Sequence, residues 1–236
     1  FFLDILSKKI KCKINIKDYL IYALLATVCD VMPLRKLNRL ISLKVLNEFK
    51  ITENFAFNEL YNLSNKKNRI NISDLGFLIG PILNSGGRLG KSKYATELLS
   101  SDNPKIINKI SNELIKLNEK RKKIEKLILD EIDFCMIEND NKDVIVYYDP
   151  TINEGLIGII AARLNDFFNK PAIVLTNSKN ILKGSARSIF GFDIGLVIKN
   201  ALDNKLIIQG GGHKMAAGFT ITKDNLIAFD MGFLQL

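Results

Sequence analysis

Two segments in the first half of this 236-residue chain carry residue types that could do chemistry. Asp30 closes the apolar segment ALLATVCD. A carboxylate in that position is a metal ligand, a helix cap or a turn former, because a buried carboxylate must be paired, coordinated or neutralised. Asn84 and Arg88 belong to the glycine-rich segment NSGGR. Backbone amides between glycines, with one arginine, could hold a phosphate, although plain turns have the same composition.

A third segment, KGSARS, alternates cations and hydroxyls. If it forms a strand, the side chains of Lys183, Ser185 and Arg187 project from the same face. Such a face suits a phosphodiester backbone, which is contacted without its bases being recognised. An exposed edge strand shows the same pattern, so the segment alone leaves both interpretations open.

The fourth segment contains His213, the one histidine of the chain, after three consecutive glycines that include Gly211 and Gly212. Glycines allow close backbone approach to a ligand and can present the imidazole to it. His213 is therefore a candidate catalytic residue, and a purely structural histidine is the alternative. Because there is only one histidine, this chain alone cannot form a site that needs two.

The composition favours a globular protein with polyanionic partners. Hydrophobic residues form 47% and charged residues 25% of the chain, which excludes wholesale disorder. Lys and Arg number 34 against 25 Asp and Glu, and this surplus favours nucleic acid without proving it. The three cysteines form neither a disulfide framework nor a zinc pattern. No apolar run reaches the ~18 residues of a membrane span, so we expect a soluble, cytoplasmic protein.

Hydrophobic spacing predicts helices in the first half of the chain and alternating strands and helices in the second. One amphipathic helix of roughly 30 residues should begin at Ser101–Pro104 and connect two domains. Close backbone approach is expected in the glycine-rich stretch 74–90. The remaining predictions are an apolar element at 19–29, helices within 34–49, 51–72, 155–168 and 194–201, strands at 144–148, 172–175 and 219–221, a turn or strand edge at 183–188, and a loop at 209–218.

Taken together, the segments resemble the RecJ family of single-strand-specific 5′→3′ DNA exonucleases, within the DHH phosphoesterase superfamily. The resemblance covers nearly the whole chain. It rests on six segments in the family's order, namely ATVCDVMPL followed by Asn38-Arg39, DLGFLIGPILNSGGRL, LNEKRKKIE, NEGLIGIIAARL, KGSARS and GGGHKMAAG.

The resemblance implies an α/β fold in three parts. Residues 1–100 would be the C-terminal part of the catalytic DHH domain, and residues 101–138 the connecting helix. Residues 139–236 would be the DHH-associated α/β domain, which holds the DNA strand over the cleft.

The resemblance also implies roles for individual residues. Asp30 would be a ligand of a Mn²⁺ or Mg²⁺ pair that activates water and stabilises the leaving oxygen. His213 would lie at the catalytic cleft. The implied substrate contacts are Asn84, Arg88, Lys183, Ser185, Arg187, Gly211 and Gly212.

One departure from the family pattern limits the expected activity. The Asp-His-His motif is absent from these residues, and the single carboxylate Asp30 cannot hold a metal pair. We therefore expect a fragment of a metal-dependent single-stranded-DNA exonuclease of DNA repair and recombination, inactive by itself. A missing N-terminal half or a full-length homologue could complete it. The alternatives are a non-catalytic single-strand-binding remnant and a nanoRNA or nucleotide phosphatase of the same superfamily.

Overall fold

The computed structural model describes residues 2–11, 13–67, 69–140 and 142–226. The chain forms two compact units that divide between Asn118 and Glu119, within its longest helix. The last ten residues of the predicted third segment, 227–236, lie outside the described part. No helix in the described ranges combines the length and the apolar content needed to cross a membrane.

The first unit is built from helices, and its core consists of the apolar faces that they turn toward one another. Phe57, Leu75 and Leu114 are among its completely buried side chains. The predicted helix at 34–49 is confirmed, and the apolar element at 19–29 is α-helical over Leu20–Cys29. Of the stretch 51–72, only 55–63 and Ile72 are α-helical. The helices are α1 (Phe2–Lys9), α2 (Leu20–Cys29), α3 (Lys36–Glu48), α4 (Phe55–Leu63), α5 (Ile72–Asp74), α6 (Gly80–Arg88), α7 (Lys93–Ser100) and α8 (Pro104–Glu131), which continues into the second unit.

The glycine-rich stretch 74–90 is mostly helical, with a π-helical turn at Leu75–Ile79 before α6. The predicted close approach occurs at Gly80. A Cβ atom there would lie 2.5 Å from Cys29 Sγ and 2.9 Å from the Leu75 carbonyl oxygen. Glycine is therefore required where α6 begins against the end of α2.

A buried carboxylate secures the start of the same stretch. Asp74 is 5% exposed and accepts hydrogen bonds from the Tyr61 hydroxyl (3.0 Å) and from Asn71 Nδ2 (2.8 Å). Lys66 Nζ lies 3.2 Å from the other carboxylate oxygen. This satisfied carboxylate ties α4 to α5, and burial together with the bond to Asp74 raises the pKa of the Tyr61 hydroxyl.

The second unit contains a five-stranded sheet in the order β1-β2-β3-β5-β4. The pair β1/β2 is parallel and the other pairs are antiparallel. The strands are β1 (Ile145–Tyr148), β2 (Ala172–Ser178), β3 (Ile181–Arg187), β4 (Gln209–His213) and β5 (Ala216–Ile221), and the helices are α9 (Phe134–Asn139), α10 (Ile157–Phe168) and α11 (Ile194–Asp203).

Helices cover the sheet on both faces. Ile160 and Leu164 of α10 pack with Ala172 and Val174 on one face. Residues of α11 pack with alternate sheet residues, including Leu182, on the other face. Because side chains alternate between the faces of a strand, β2 is buried on both sides over its first five residues.

Two predictions for this unit were wrong or incomplete. The loop predicted at 209–218 is instead β4, a tight turn and the first part of β5. Its glycines pair with β5, and only the partner strand makes that segment extended. The segment KGSARS is not a turn, because most of it lies in β3 with paired strands on both sides.

Candidate functional site

Three cross-strand rows of residues lie on the sheet face that α10 partly covers. Lys183, Ser185 and Arg187 alternate with buried residues of β3, so they share this face as predicted. Strand pairing places residues of β5 and β4 beside each of them. We call the rows the arginine row (Arg187, Ala216, His213), the glycine row (Ser185, Gly218, Gly211) and the lysine row (Lys183, Thr220, Gln209).

The glycine row leaves the backbone of β4 and β5 bare. A Cβ atom at Gly211 would meet nothing within 4 Å, and one at Gly218 would meet only the Gly184 carbonyl oxygen at 3.9 Å. An open cavity of ≈ 460 Å³ lies here, lined by residues of β3, β4 and β5 and by Ile157. A ligand can therefore approach main-chain atoms without displacing side chains.

Gly212 lies on the opposite face from its two neighbours. A Cβ atom there would overlap the Ala216 carbonyl oxygen and Ala217. The geometry gives Gly212 a packing role at the β4–β5 hairpin. Of the two glycines predicted as substrate contacts, only Gly211 lies in the glycine row, on the open face of the sheet.

The first turn of α10 lies directly against the arginine and glycine rows. A Cβ atom at Gly158 would lie 3.0 Å from Ser185 Oγ and 3.1 Å from Arg187 Nη2. The first amides of a helix have no acceptor within it, and the helix dipole makes that end partly positive. A hydroxyl and a guanidinium thus lie against the first turn of a helix, an end at which anions are commonly bound.

Arg187 is a half-buried cation on β3. Its Nη1 donates to the Ala186 carbonyl oxygen (2.8 Å) and to Ser185 Oγ (3.3 Å). No carboxylate in the described ranges forms an ion pair with it. Burial lowers the pKa of the guanidinium. A desolvated cation without a partner gains more from an incoming anion than a solvated one does.

Lys183 already has an acidic partner. Its Nζ lies 2.6 Å from Glu154 Oε2, and the Ser178 hydroxyl donates to the same oxygen (3.1 Å). The Lys183 bond is the main reason that the pKa of Glu154 is lowered. A phosphate at Lys183 would compete with Glu154, so this lysine is a weaker anion contact than Arg187.

His213 ends the arginine row on the edge strand β4 and is exposed. Its Nδ1 accepts the backbone N–H of Met215 at 3.3 Å. An imidazole that accepts at Nδ1 carries its proton on Nε2 when neutral. The ring can therefore donate from Nε2 to a ligand beside the row.

The three candidate site residues of the first unit are divided between the end of α2 and one face of α6. Asp30 is exposed at the end of α2, and its backbone N–H donates to the Ala26 carbonyl oxygen (2.9 Å). Asn84 and Arg88 are four residues apart and share a face of α6. The end of α2 contacts the start of α6 at Gly80, roughly 12 Å along the helix from Arg88.

The described residues do not form a metal site. No group of three or more His, Cys, Asp or Glu side chains among them could hold an ion. Asp30 alone supplies too few ligands for a pair of hard cations, which require several oxygen ligands each. No catalytic step is therefore assigned to a metal in this chain.

Comparison with known proteins identifies the family. The DHHA1 domain model matches residues 141–230. The single-stranded-DNA-specific exonuclease RecJ of Haemophilus influenzae is 32% identical over 231 residues, and that of Bacillus subtilis is 34% identical over 209. The crystal structure of Thermus thermophilus RecJ with Mn²⁺ matches 98% of this chain at 25% identity with a TM-score of 0.83. The chain belongs to the RecJ family.

The RecJ match confirms the predicted family and α/β fold. It covers 94% of this chain with the Haemophilus protein and 86% with the Bacillus protein. The chain spans only 40% and 26% of the length of those relatives, and 34% of the Thermus chain. The domain limits at 100/101 and 138/139 and the roles of individual residues remain predictions.

Sequence reasoning missed several residues that line this candidate site. Gly158 and Glu154 stand in the segment NEGLIG, which resembles the family, but nothing in it indicates contact with β3. Gln209 and Thr220 are placed beside the site only by the pairing of β4 and β3 with β5. A correct strand assignment for QGGGH would have found them, because pairing and alternation then place both beside Lys183.

Proposed function

We propose that this chain is the strand-holding part of a RecJ-type exonuclease and that its second unit binds the phosphates of single-stranded DNA. The observation that carries the proposal is Arg187, a half-buried guanidinium without a described carboxylate partner. It lies beside Ser185 and the first turn of α10. These groups suit a phosphodiester, because they offer charge and donors to oxygen atoms and no pattern that selects a base.

The two flanking rows extend the proposed phosphate path along the sheet. His213 can donate at the far end of the arginine row, and Lys183 can donate once it leaves Glu154. The bare glycine row between them leaves room for the strand. A net charge of +9 for the chain adds a general attraction for polyanions.

Hydrolysis is proposed to require residues beyond those described. In that assembly Asp30 would contribute one carboxylate to the Mn²⁺ or Mg²⁺ site, and Arg88 and Asn84 would contact substrate. The remaining ligands would come from residues outside this sequence, in an N-terminal half or a full-length homologue. A cytoplasmic role in DNA repair and recombination is the corresponding biological proposal.

Binding and digestion test these two statements separately. Fluorescence anisotropy of a labelled oligo(dT) should report binding that weakens with salt and with Arg187→Ala. Lys199→Ala removes the same charge from α11, on the opposite side of the sheet, and serves as the matched control. Equal weakening by both variants, or no binding, would reject the proposed phosphate site.

The digestion experiment uses 5′-labelled single-stranded DNA with Mn²⁺ and the purified chain. No product is expected from the chain alone. Digestion that Asp30→Ala abolishes would reject the need for other residues. Binding that is equally tight for a dinucleotide and a long strand would favour the nucleotide phosphatase alternative. Binding that never leads to digestion, even with a full-length homologue added, would favour the non-catalytic one.

A further inference from the structure

Phe190 is the most exposed of the large apolar side chains in the described ranges, at 98%. It lies in the loop between β3 and α11, three residues after Arg187. Single exposed apolar residues are common on protein surfaces, so exposure alone indicates no function. Phe190 differs from a typical exposed apolar residue in two ways: hydrogen bonds hold its loop in place, and cations lie near it.

The loop that carries Phe190 is held at both of its ends. The backbone N–H of Ser188 donates to the Met215 carbonyl oxygen (3.0 Å), and its hydroxyl donates to the Phe192 carbonyl oxygen (2.7 Å). Gly191 follows with φ +94°, a conformation that side-chain-bearing residues rarely adopt. The loop is a closed turn that projects the ring into solvent.

Two cations and a second apolar side chain lie near this turn. The hairpin turn that bonds to the loop contains Lys214 and Met215, and Met215 is 45% exposed. Arg187 is at most ~10 Å away along the chain, since three residues span no more than that. Proteins that bind single strands combine cations along the backbone with aromatic rings on which bases stack.

We propose that Phe190 is a stacking platform for a nucleobase of the strand whose phosphates lie at Arg187. The inference rests on the proposed function and deepens it. A base is joined to its phosphate through one sugar ring, so a nucleotide held at Arg187, or its neighbour, can place its base on the ring. Stacking accepts any base, so the platform adds affinity without sequence preference.

The chain contains no tryptophan, and this permits a specific optical test. Phe190→Trp introduces a single indole at the proposed platform. Phe167→Trp places one at the end of α10, where the parent ring is 69% exposed and contacts Phe134 and Phe168. Oligo(dT) should quench the fluorescence of the first variant and not that of the second. An abasic oligomer with the same number of phosphates should bind and leave both unchanged.

Affinity gives a second readout. Phe190→Ala should weaken oligo(dT) binding about 5- to 150-fold, the equivalent of ~1–3 kcal/mol per stacked base. It should leave binding of the abasic oligomer unchanged, and Phe190→Leu should behave like alanine. Anisotropy that reports parent-level binding by Phe190→Trp without quenching would overturn the platform alone. A parent chain that binds no oligomer would overturn the phosphate site and the platform together.

Discussion

Replacing Arg187 with methionine should weaken single-strand binding without unfolding the protein. The guanidinium is proposed to donate to a phosphate from a half-buried position. A hydrogen bond to a charged group contributes about 1.5–3 kcal/mol, so its loss should weaken binding roughly 10- to 150-fold. One phosphate contact fewer should also reduce the slope of log K against log salt by ~0.7.

The stability of the same variant should change little, for a reason that the structure supplies. Methionine loses the bonds to the Ala186 carbonyl oxygen and Ser185 Oγ. It also removes a desolvated cation and keeps an apolar stem against Gly158. These effects oppose each other, and the free energy of unfolding should stay within about 1 kcal/mol of the parent value.

The assay is oligo(dT) anisotropy at several KCl concentrations, paired with urea unfolding. Lys199→Met, on α11, is the matched control for loss of charge. Arg187→Lys should bind with intermediate affinity, because lysine keeps the charge and loses the forked donors. If Arg187→Met binds like the parent, or if the control weakens binding equally, the reasoning about the desolvated guanidinium is refuted.

Four further substitutions test the surroundings of this site and the first unit. Glu154→Gln frees Lys183 and should tighten oligo(dT) binding about 1.5- to 5-fold. Since Lys183 lowers the pKa of Glu154, the difference from the parent should hold at neutral pH and shrink only when acid protonates the parent carboxylate, below the usual range of a glutamate; a difference that already shrinks at or above that range would contradict this. Gly184→Ala forces a methyl group into the Phe219 ring and should lower the free energy of unfolding by about 1–3 kcal/mol. Gly211→Ala, whose methyl group meets no other atom, should leave urea unfolding unchanged and weaken binding only. Equal unfolding curves for the two variants would contradict the close packing of Gly184 against Phe219. Asp74→Ala removes the acceptor for the buried Tyr61 hydroxyl and for the Asn71 amide and should lower stability by about 2–4 kcal/mol in the same measurement, and a loss below 1 kcal/mol would reject that role.

The longer amphipathic helices could be predicted from this sequence, because their apolar side chains repeat at helical spacing. The 28 residues of α8 repeat apolar side chains at intervals of three and four, which is enough to define a long amphipathic helix. The residues at which each helix begins and ends were less predictable. Within 51–72 the chain is α-helical only over α4 and at Ile72, where α5 begins.

The candidate site was predictable by residue type and only partly by location. The period of two in a strand places Lys183, Ser185 and Arg187 on one face whatever the rest of the fold does. The same rule separates Gly212 from Gly211, but it could be applied only once QGGGH was known to be a strand. Glycine has low strand propensity, so pairing with β5 decided that segment.

The sequence by itself determined which residues could bind a phosphate, since charge, hydroxyl groups and bare backbone are properties of residue type. Tertiary structure decided which of these residues are suited to do so. Packing of the first turn of α10 against β3 partly buries Arg187, whereas the turn before α10 gives Lys183 an acidic partner. Gly158 and Glu154 are at least 25 positions away from these cations in the chain, so only folding brings them together.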